Sequence, residues 1–205
     1  MIITELKQTV SERFIVKFDN GEELKTTLNA VADLGLYSGK VLTEEEFLDI
    51  RAASELALCK ARAMRIIGAR AMSKKELYDR LLEKGELPCN AEESVAWMEE
   101  LSLLNDEAYA AMIVRHYSAK AYGKRKVQSE LYRRGLPREL WDAALEEMPE
   151  QDEKIDMLLR RRLKNDNPDR SELKKATDAL LRRGYSWDEI SAAVGRFRNG
   201  ENMYE

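Results

Sequence analysis

The chain has 205 residues, of which 44% are hydrophobic, 35% charged and 7% aromatic, and its formal net charge is −4. No stretch approaches the roughly 18 consecutive apolar residues of a membrane helix, residues 1–5 have neither a basic nor an apolar leader region, and 10 Gly with 4 Pro are too few for an all-β fold. The charge is uneven: residues 1–50 carry −5, 51–105 and 106–150 carry 0 each, and 151–205 carry +1.

In chain order, residues 13–18 form a β-rich run, Asp19, Asn20 and Gly21 give an Asn-Gly turn signal with positive φ, and residues 22–28 return antiparallel. This predicts a small β-hairpin head. A lone hairpin is marginal, so it is expected to pack on the helix opening at Thr43, where Thr43 and Glu46 have capping-box spacing.

From about residue 56 the sequence repeats around Gly85, Gly135 and Gly184, at spacings of 50 and 49. Four residues before each stands Leu81, Leu131 or Leu180, and eight before stands Leu77, Val127 or Ala176, so each Gly follows an amphipathic helix at its C′ position. A second stripe follows: Ala91, Trp141 and Ile190, then Val95, Leu145 and Val194, then Met98, Met148 and Phe197. Met64, Val114 and Leu163 lie in an opening helix, which makes each unit three helices. Ser73 with Glu76, Asn90 with Glu93, Asp169 with Glu172 and Ser186 with Glu189 have capping-box spacing, and Pro137 stands where the second unit turns into its last helix. The expected fold is mainly α, a tandem array of three three-helix repeats behind the hairpin head. The expected division is 1–50 (acidic head and start of a connecting helix), 51–105, 106–150 and 151–205 (repeats 1, 2 and 3, the last with a short tail). Units of this size bury little surface alone, so Trp97, Trp141 and Trp187, together with the Met positions, Met64 among them, are assigned to the core or to packing between units.

The chemistry-bearing residues are few. Cys59 and Cys89 have no neighbouring Cys, which excludes a zinc ribbon or CxxC motif, and two unpaired thiols suit a reducing, cytoplasmic location. His116 is the only histidine and reads as a partly exposed helical residue. There is no GxxxxGK[ST], GxGxxG or GxSxG motif. No catalytic, metal or cofactor-binding residue is assigned, and the chain reads as a non-enzyme without a cofactor.

Charge offers more. Residues 115–134 hold Arg115, Lys120, Lys124, Arg125, Lys126, Arg133 and Arg134 against a single acid, Glu130, a footprint suited to a polyanion. On the helix before each anchor Gly the outward positions are Lys75, Asp79 and Glu83 in unit one, Arg125, Ser129 and Arg133 in unit two, and Lys174, Asp178 and Arg182 in unit three, so only the last two are basic. Arg160, Arg161, Arg162 and Lys164, with Lys175 and Arg183, extend the positive set, which is expected to meet DNA phosphate or an acidic protein face. Each of these residues taken singly also reads as part of a solvated helix face.

A family resemblance runs through the same residues. Residues 73–77 with Leu81, Lys84 and Gly85, residues 103–110, then Gly123, Val127, Glu130, Leu131, Arg134, Gly135 and Leu136, and finally residues 181–188 are together similar to the RecX regulatory proteins, bacterial modulators of the RecA recombinase. The likeness covers about residues 56–198 and leaves out the acidic head. It implies a monomer that binds RecA, especially the RecA–DNA filament, and limits its ATPase, strand exchange and coprotease output in recombination and DNA repair. Weak direct contact with single- or double-stranded DNA is a further expectation. A direct DNA-binding regulator of helix-turn-helix type is the alternative, though no helix is rich in Arg, Asn and Gln at base-reading positions. A plain helical scaffold remains if both fail.

Overall fold

The structure, a computed structural model, describes residues 1–9, 13–163, 165 and 167–200. It divides into two compact units, Met1–Leu104 and Asn105–Glu205.

The first unit opens with an antiparallel sheet in the order β1 (Ile3–Gln8), β2 (Arg13–Phe18), β3 (Glu23–Thr27). The β2–β3 hairpin is the expected one. Only Gly21 has positive φ (84°), and the Phe18 amide donates to the Glu22 carbonyl, so a three-residue loop closed by the glycine replaces a two-residue turn. The returning strand is shorter than expected. It stops at Thr27, because the Thr27 hydroxyl accepts from the Ala30 amide and caps a short helix, α1 (Leu28–Asp33).

The first strand and α1 escape the sequence reading. In β1 only Ile3 is fully buried, so no apolar alternation marks the strand, and its backbone pairing to β2 holds it instead. The head core joins Ile3, Val16, Phe18, Leu24, Leu36 and Leu42 to Phe47 and Ile50 of α2 (Glu44–Ala69). Thr43 caps α2 in a full capping box with Glu46, and Phe18 meets Phe47 edge to face at 5.0 Å.

One continuous α2 serves two cores. Its second half carries Cys59 and Ala63 into a cluster with Met72, with Leu77 and Leu81 of α3 (Lys74–Glu83), and with Ala91 and Met98 of α4 (Pro88–Glu100). Met64 is 40% exposed, not buried as its place in the repeat suggests, because Cys59 and Ala63 hold the buried stripe and Met64 lies about 100° further round. The Ser73 box with Glu76 forms, but Asn90 caps nothing. Pro88 at the first helical position starts α4 earlier and puts Asn90 inside it.

The second unit holds two further three-helix groups. The first is α5 (Asp106–Ala119), α6 (Lys124–Arg133) and α7 (Trp141–Glu146), the last entered through a 3₁₀ turn at Arg138–Leu140 behind Pro137. The second is α8 (Asp152–Arg162), α9 (Arg170–Arg182) and α10 (Trp187–Asn199). Val114, Val127, Leu131, Leu136 and Leu145 centre one core, and Ile155, Leu159, Leu163, Leu180, Tyr185 and Ile190 the other.

The repeat glycines act as read from the sequence. Gly85, Gly135 and Gly184 have φ of 83°, 66° and 89°, and the residue after each donates back to Leu81, Leu131 or Leu180, which is the Schellman closure. That closure places Leu136 and Tyr185 in the cores. Trp187, two residues past Tyr185 in the first turn of α10, is therefore 58% exposed and lies outside the core, the first of the two places expected for it.

Candidate polyanion interface

The three helices that precede the anchor glycines begin in two ways. The first and third, α3 and α9, start with a side-chain cap, Ser73 or Asp169, reinforced by Glu at the third position. In contrast, α6 starts at Gly123 with no side-chain cap, no acid in its first turn, and Lys124, Arg125 and Lys126 in sequence. Cations at a helix N-terminus oppose the helix dipole. The local sequence thus concentrates positive potential where stability alone favours an acid.

Backbone just past the end of α9 replaces the missing cap. The Gly123 amide donates to the Arg183 carbonyl at 2.9 Å and the Arg125 amide to the Gly184 carbonyl at 3.1 Å. The two chains approach so closely that a Cβ on Gly123 would stand 2.5 Å from the Gly184 carbonyl oxygen, and one on Gly184 would stand 2.3 Å from the Lys126 nitrogen. Gly123 has φ of −77°, which suits any residue, so close approach is what requires glycine there.

Cations close the end of α5 in the same place. Arg183 Nη1 donates to the Lys120 and Ala121 carbonyls, both at 3.0 Å, while its guanidinium lies over the Tyr122 ring at 5.1 Å. Lys154 Nζ donates to the Ser118 carbonyl at 2.8 Å. Ala121 is held in the left-handed region at φ of 55°. The end of α5, the start of α6 and the end of α9 therefore form one junction, tied by hydrogen bonds to backbone carbonyls.

The junction gathers some of the expected residues and separates others. Lys120, Lys124, Arg125 and Arg182 are exposed there, and none has an ion-pair partner among the described residues. Arg161 and Arg162, also exposed, line a cleft shared with Arg183. Arg183 itself is a structural clamp, half-buried on its carbonyls. Arg134 is likewise withdrawn: it donates to the Tyr109 hydroxyl and lies over that ring. Arg115 faces Glu147 at 3.7 Å, and Arg160 is exposed in the last turn of α8. Lys174 and Lys175 are exposed about 12 Å earlier along α9 than Arg182. Lys164 lies outside the described residues.

Lys126 and Arg133 are committed to a neighbour. Both grip the buried Glu130, Lys126 Nζ at 2.9 Å and Arg133 Nη2 at 2.6 Å. Burial pushes the Glu130 carboxyl upward, but hydrogen bonds from Lys126, Arg133 and Tyr117 outweigh it and hold its pKa at about 2. The same contacts raise Lys126 and Arg133.

Sequence reasoning missed Lys154, Tyr109 and Tyr122 as partners, because each acts on residues far along the chain. It also missed Tyr132, 70% exposed on the same helix as Lys124 and Arg125. A signal for the junction was present: Gly123 stands where the other two repeats carry a capping Ser or Asp.

A sheet-bearing head on a long helix, followed by consecutive three-helix groups with a cationic junction in the last two, defines a protein built of serial three-helix domains. Residues 105–145 match the family model described as the second three-helix domain of RecX, and residues 150–194 match the third. The regulatory protein RecX of Chlorobium limicola is 32% identical over 143 residues, covering 68% of this chain and 90% of that protein. That of Caldanaerobacter subterraneus is 26% identical over 195 residues, covering 95% and 98%. A crystal structure of a regulatory protein RecX superposes with a TM-score of 0.75 at 18% identity, covering 95% of this chain and 98% of that one. The chain belongs to the RecX family of regulatory proteins.

Proposed function

We propose that this chain binds RecA and the RecA–DNA filament and restrains the filament's ATPase, strand exchange and coprotease output in recombination and DNA repair, acting by contact and without chemistry of its own. Membership of the RecX family, across both three-helix groups of the second unit, is the observation that carries this reading. The working parts are an acidic head (1–50) and three repeats (51–105, 106–150, 151–205), in a cytoplasmic monomer. Lys120, Lys124, Arg125 and Arg182 meet the anionic surface, and Arg161 and Arg162 extend it. Among the described residues no helix is long and apolar enough to cross a membrane, and no group of His, Cys, Asp and Glu gathers as a metal site.

The test measures binding to naked DNA, to DNA-free RecA and to the RecA–DNA filament, each over a salt series. The filament should be the tightest partner. The six cations of this face limit the slope of log K against log salt on naked DNA to about −5.4, from roughly −0.9 per neutralised phosphate. Tight, sequence-selective binding to naked DNA with no effect on the filament would overturn the proposal in favour of a direct DNA-binding regulator.

A further inference from the structure

A cleft of about 350 Å³ opens between α8 and α9, lined by Leu158, Ala176, Ala179 and Leu180 with Arg161, Arg162 and Arg183. Three arginines line it, with no acid in the lining. Arg161 and Arg162 have no ion-pair partner among the described residues. Arg183 lines it in a fixed orientation, because two carbonyls hold its Nη1 and the Tyr122 ring holds its plane. Its Nε–H and both Nη2–H groups remain as donors, since a guanidinium has five N–H groups in a fixed fork. Two small residues, Ala176 and Ala179, leave the floor open.

We infer that this cleft is a binding site for a compact oligophosphate, a di- or triphosphate group carried free or on a nucleotide. Charge density favours that ligand over an extended strand. A di- or triphosphate brings about three negative charges into one small cleft, matching the charge of the three arginines that line it, a residue type suited to bidentate phosphate recognition. A nucleic-acid strand carries one charge per phosphate and stays extended, so a cleft of this volume admits one or two phosphates and leaves a guanidinium unmatched. Carboxylates of an acidic protein face would need three side chains to enter together. The volume lies near the lower end of small-ligand sites, which span about 300–1,000 Å³. The cleft shares Arg161 and Arg162 with the edge of the proposed anionic face, but its test reads oligophosphate binding alone, so it stands or falls without RecA.

Isothermal titration calorimetry of the full chain tests it, with tripolyphosphate, ATP, sulfate and a dT oligonucleotide as titrants at about 0.15 M salt. Tripolyphosphate and ATP should bind at least about tenfold more tightly than sulfate, and R161Q/R162Q should lose about tenfold or more of that affinity while its circular dichroism and melting stay unchanged. K174Q/K175Q, also exposed but outside the cleft, should lose none of it. Equal affinity for tripolyphosphate and ATP assigns the phosphate chain alone as ligand, and tighter ATP binding assigns a nucleotide; both uphold the site. No oligophosphate binding at millimolar concentration, or equal loss in both double variants, would overturn it. So would oligonucleotide binding that depends on Arg161 and Arg162 while tripolyphosphate and ATP fail to bind.

Discussion

Replacing Gly123 with Ala tests the junction on which the cationic face depends. The new Cβ would stand 2.5 Å from the Gly184 carbonyl oxygen and 2.6 Å from both its carbon and the Tyr185 nitrogen, all of them backbone atoms that cannot rotate away. Restoring ordinary contact requires the two segments to part by roughly 0.9 Å, the gap between that approach and a 3.4 Å contact. Parting by that much breaks the 2.9 Å and 3.1 Å bonds from Gly123 and Arg125, and it pulls Arg183 from its carbonyls. Overpacking costs about 1–3 kcal/mol and each of the two lost backbone hydrogen bonds about 1 kcal/mol, so the variant should lose about 3–5 kcal/mol.

Two companions separate the causes. Gly85→Ala meets nothing within 4 Å and carries only the strain of φ at 83°, about 1 kcal/mol once reduced unfolded-chain entropy is subtracted. Gly184→Ala combines clash and strain at φ of 89° and should lose the most, about 4–6 kcal/mol. Differential scanning calorimetry should place the melting transition of Gly123→Ala about 12 °C or more below the parent, and that of Gly85→Ala about 5 °C below it. A Gly123→Ala protein as stable as Gly85→Ala would refute the close-approach argument.

Other outcomes follow from single contacts. Glu130 has a folded pKa of about 2, below its ordinary 4.5, so its contribution is fully present above pH 4.5 and is lost as pH falls towards 2. With screening at the exposed Arg133 end it amounts to about 1–2 kcal/mol; acid titration of Glu130→Gln should show a flatter stability profile over that window, and an unchanged profile would dissolve the ion triad. Lys124→Glu with Arg125→Glu should weaken filament binding while melting stays within about 0.5 kcal/mol of the parent, because both are exposed and an acid suits a helix N-terminus; undiminished binding would remove them from the interface. Arg133→Glu is a different case: it sets a second carboxylate beside Glu130 and should destabilise, although Arg133 reads from sequence as a free outward cation. Leu131→Ala in the core of the second repeat should lose about 2–5 kcal/mol, read by denaturant unfolding, and a fully stable variant would mean that the repeat register is wrong.

The repeat architecture was legible because it rests on local rules. A glycine after an amphipathic helix, leucines at four-residue spacing and a capping box each express the geometry of one helix end, and Gly85, Gly135 and Gly184 occupy the expected conformation. Strand β1 was hidden because its alternation is polar and its support is the β2 backbone. Met64 and Trp187 misled because apolar character shows that a residue can be buried, not which of two adjacent helix positions is. The charge of the candidate site was visible, but its division was not. Arg134, Arg183, Lys126 and Arg133 look like Lys124 and Arg125 in a sequence; only the positions of Tyr109, the α5 carbonyls and Glu130 show that the first four have structural partners.

The central claim, that this chain restrains the RecA filament through the cationic face of its second unit, meets its most direct test in one titration. The DNA-dependent ATPase of RecA is measured against increasing amounts of the purified chain, with Lys124→Glu/Arg125→Glu titrated in parallel. The activity should fall as the chain is added, and the variant should require about tenfold more protein for the same fall, the equivalent of about 1.4 kcal/mol. A flat titration, or identical curves for chain and variant, would contradict it.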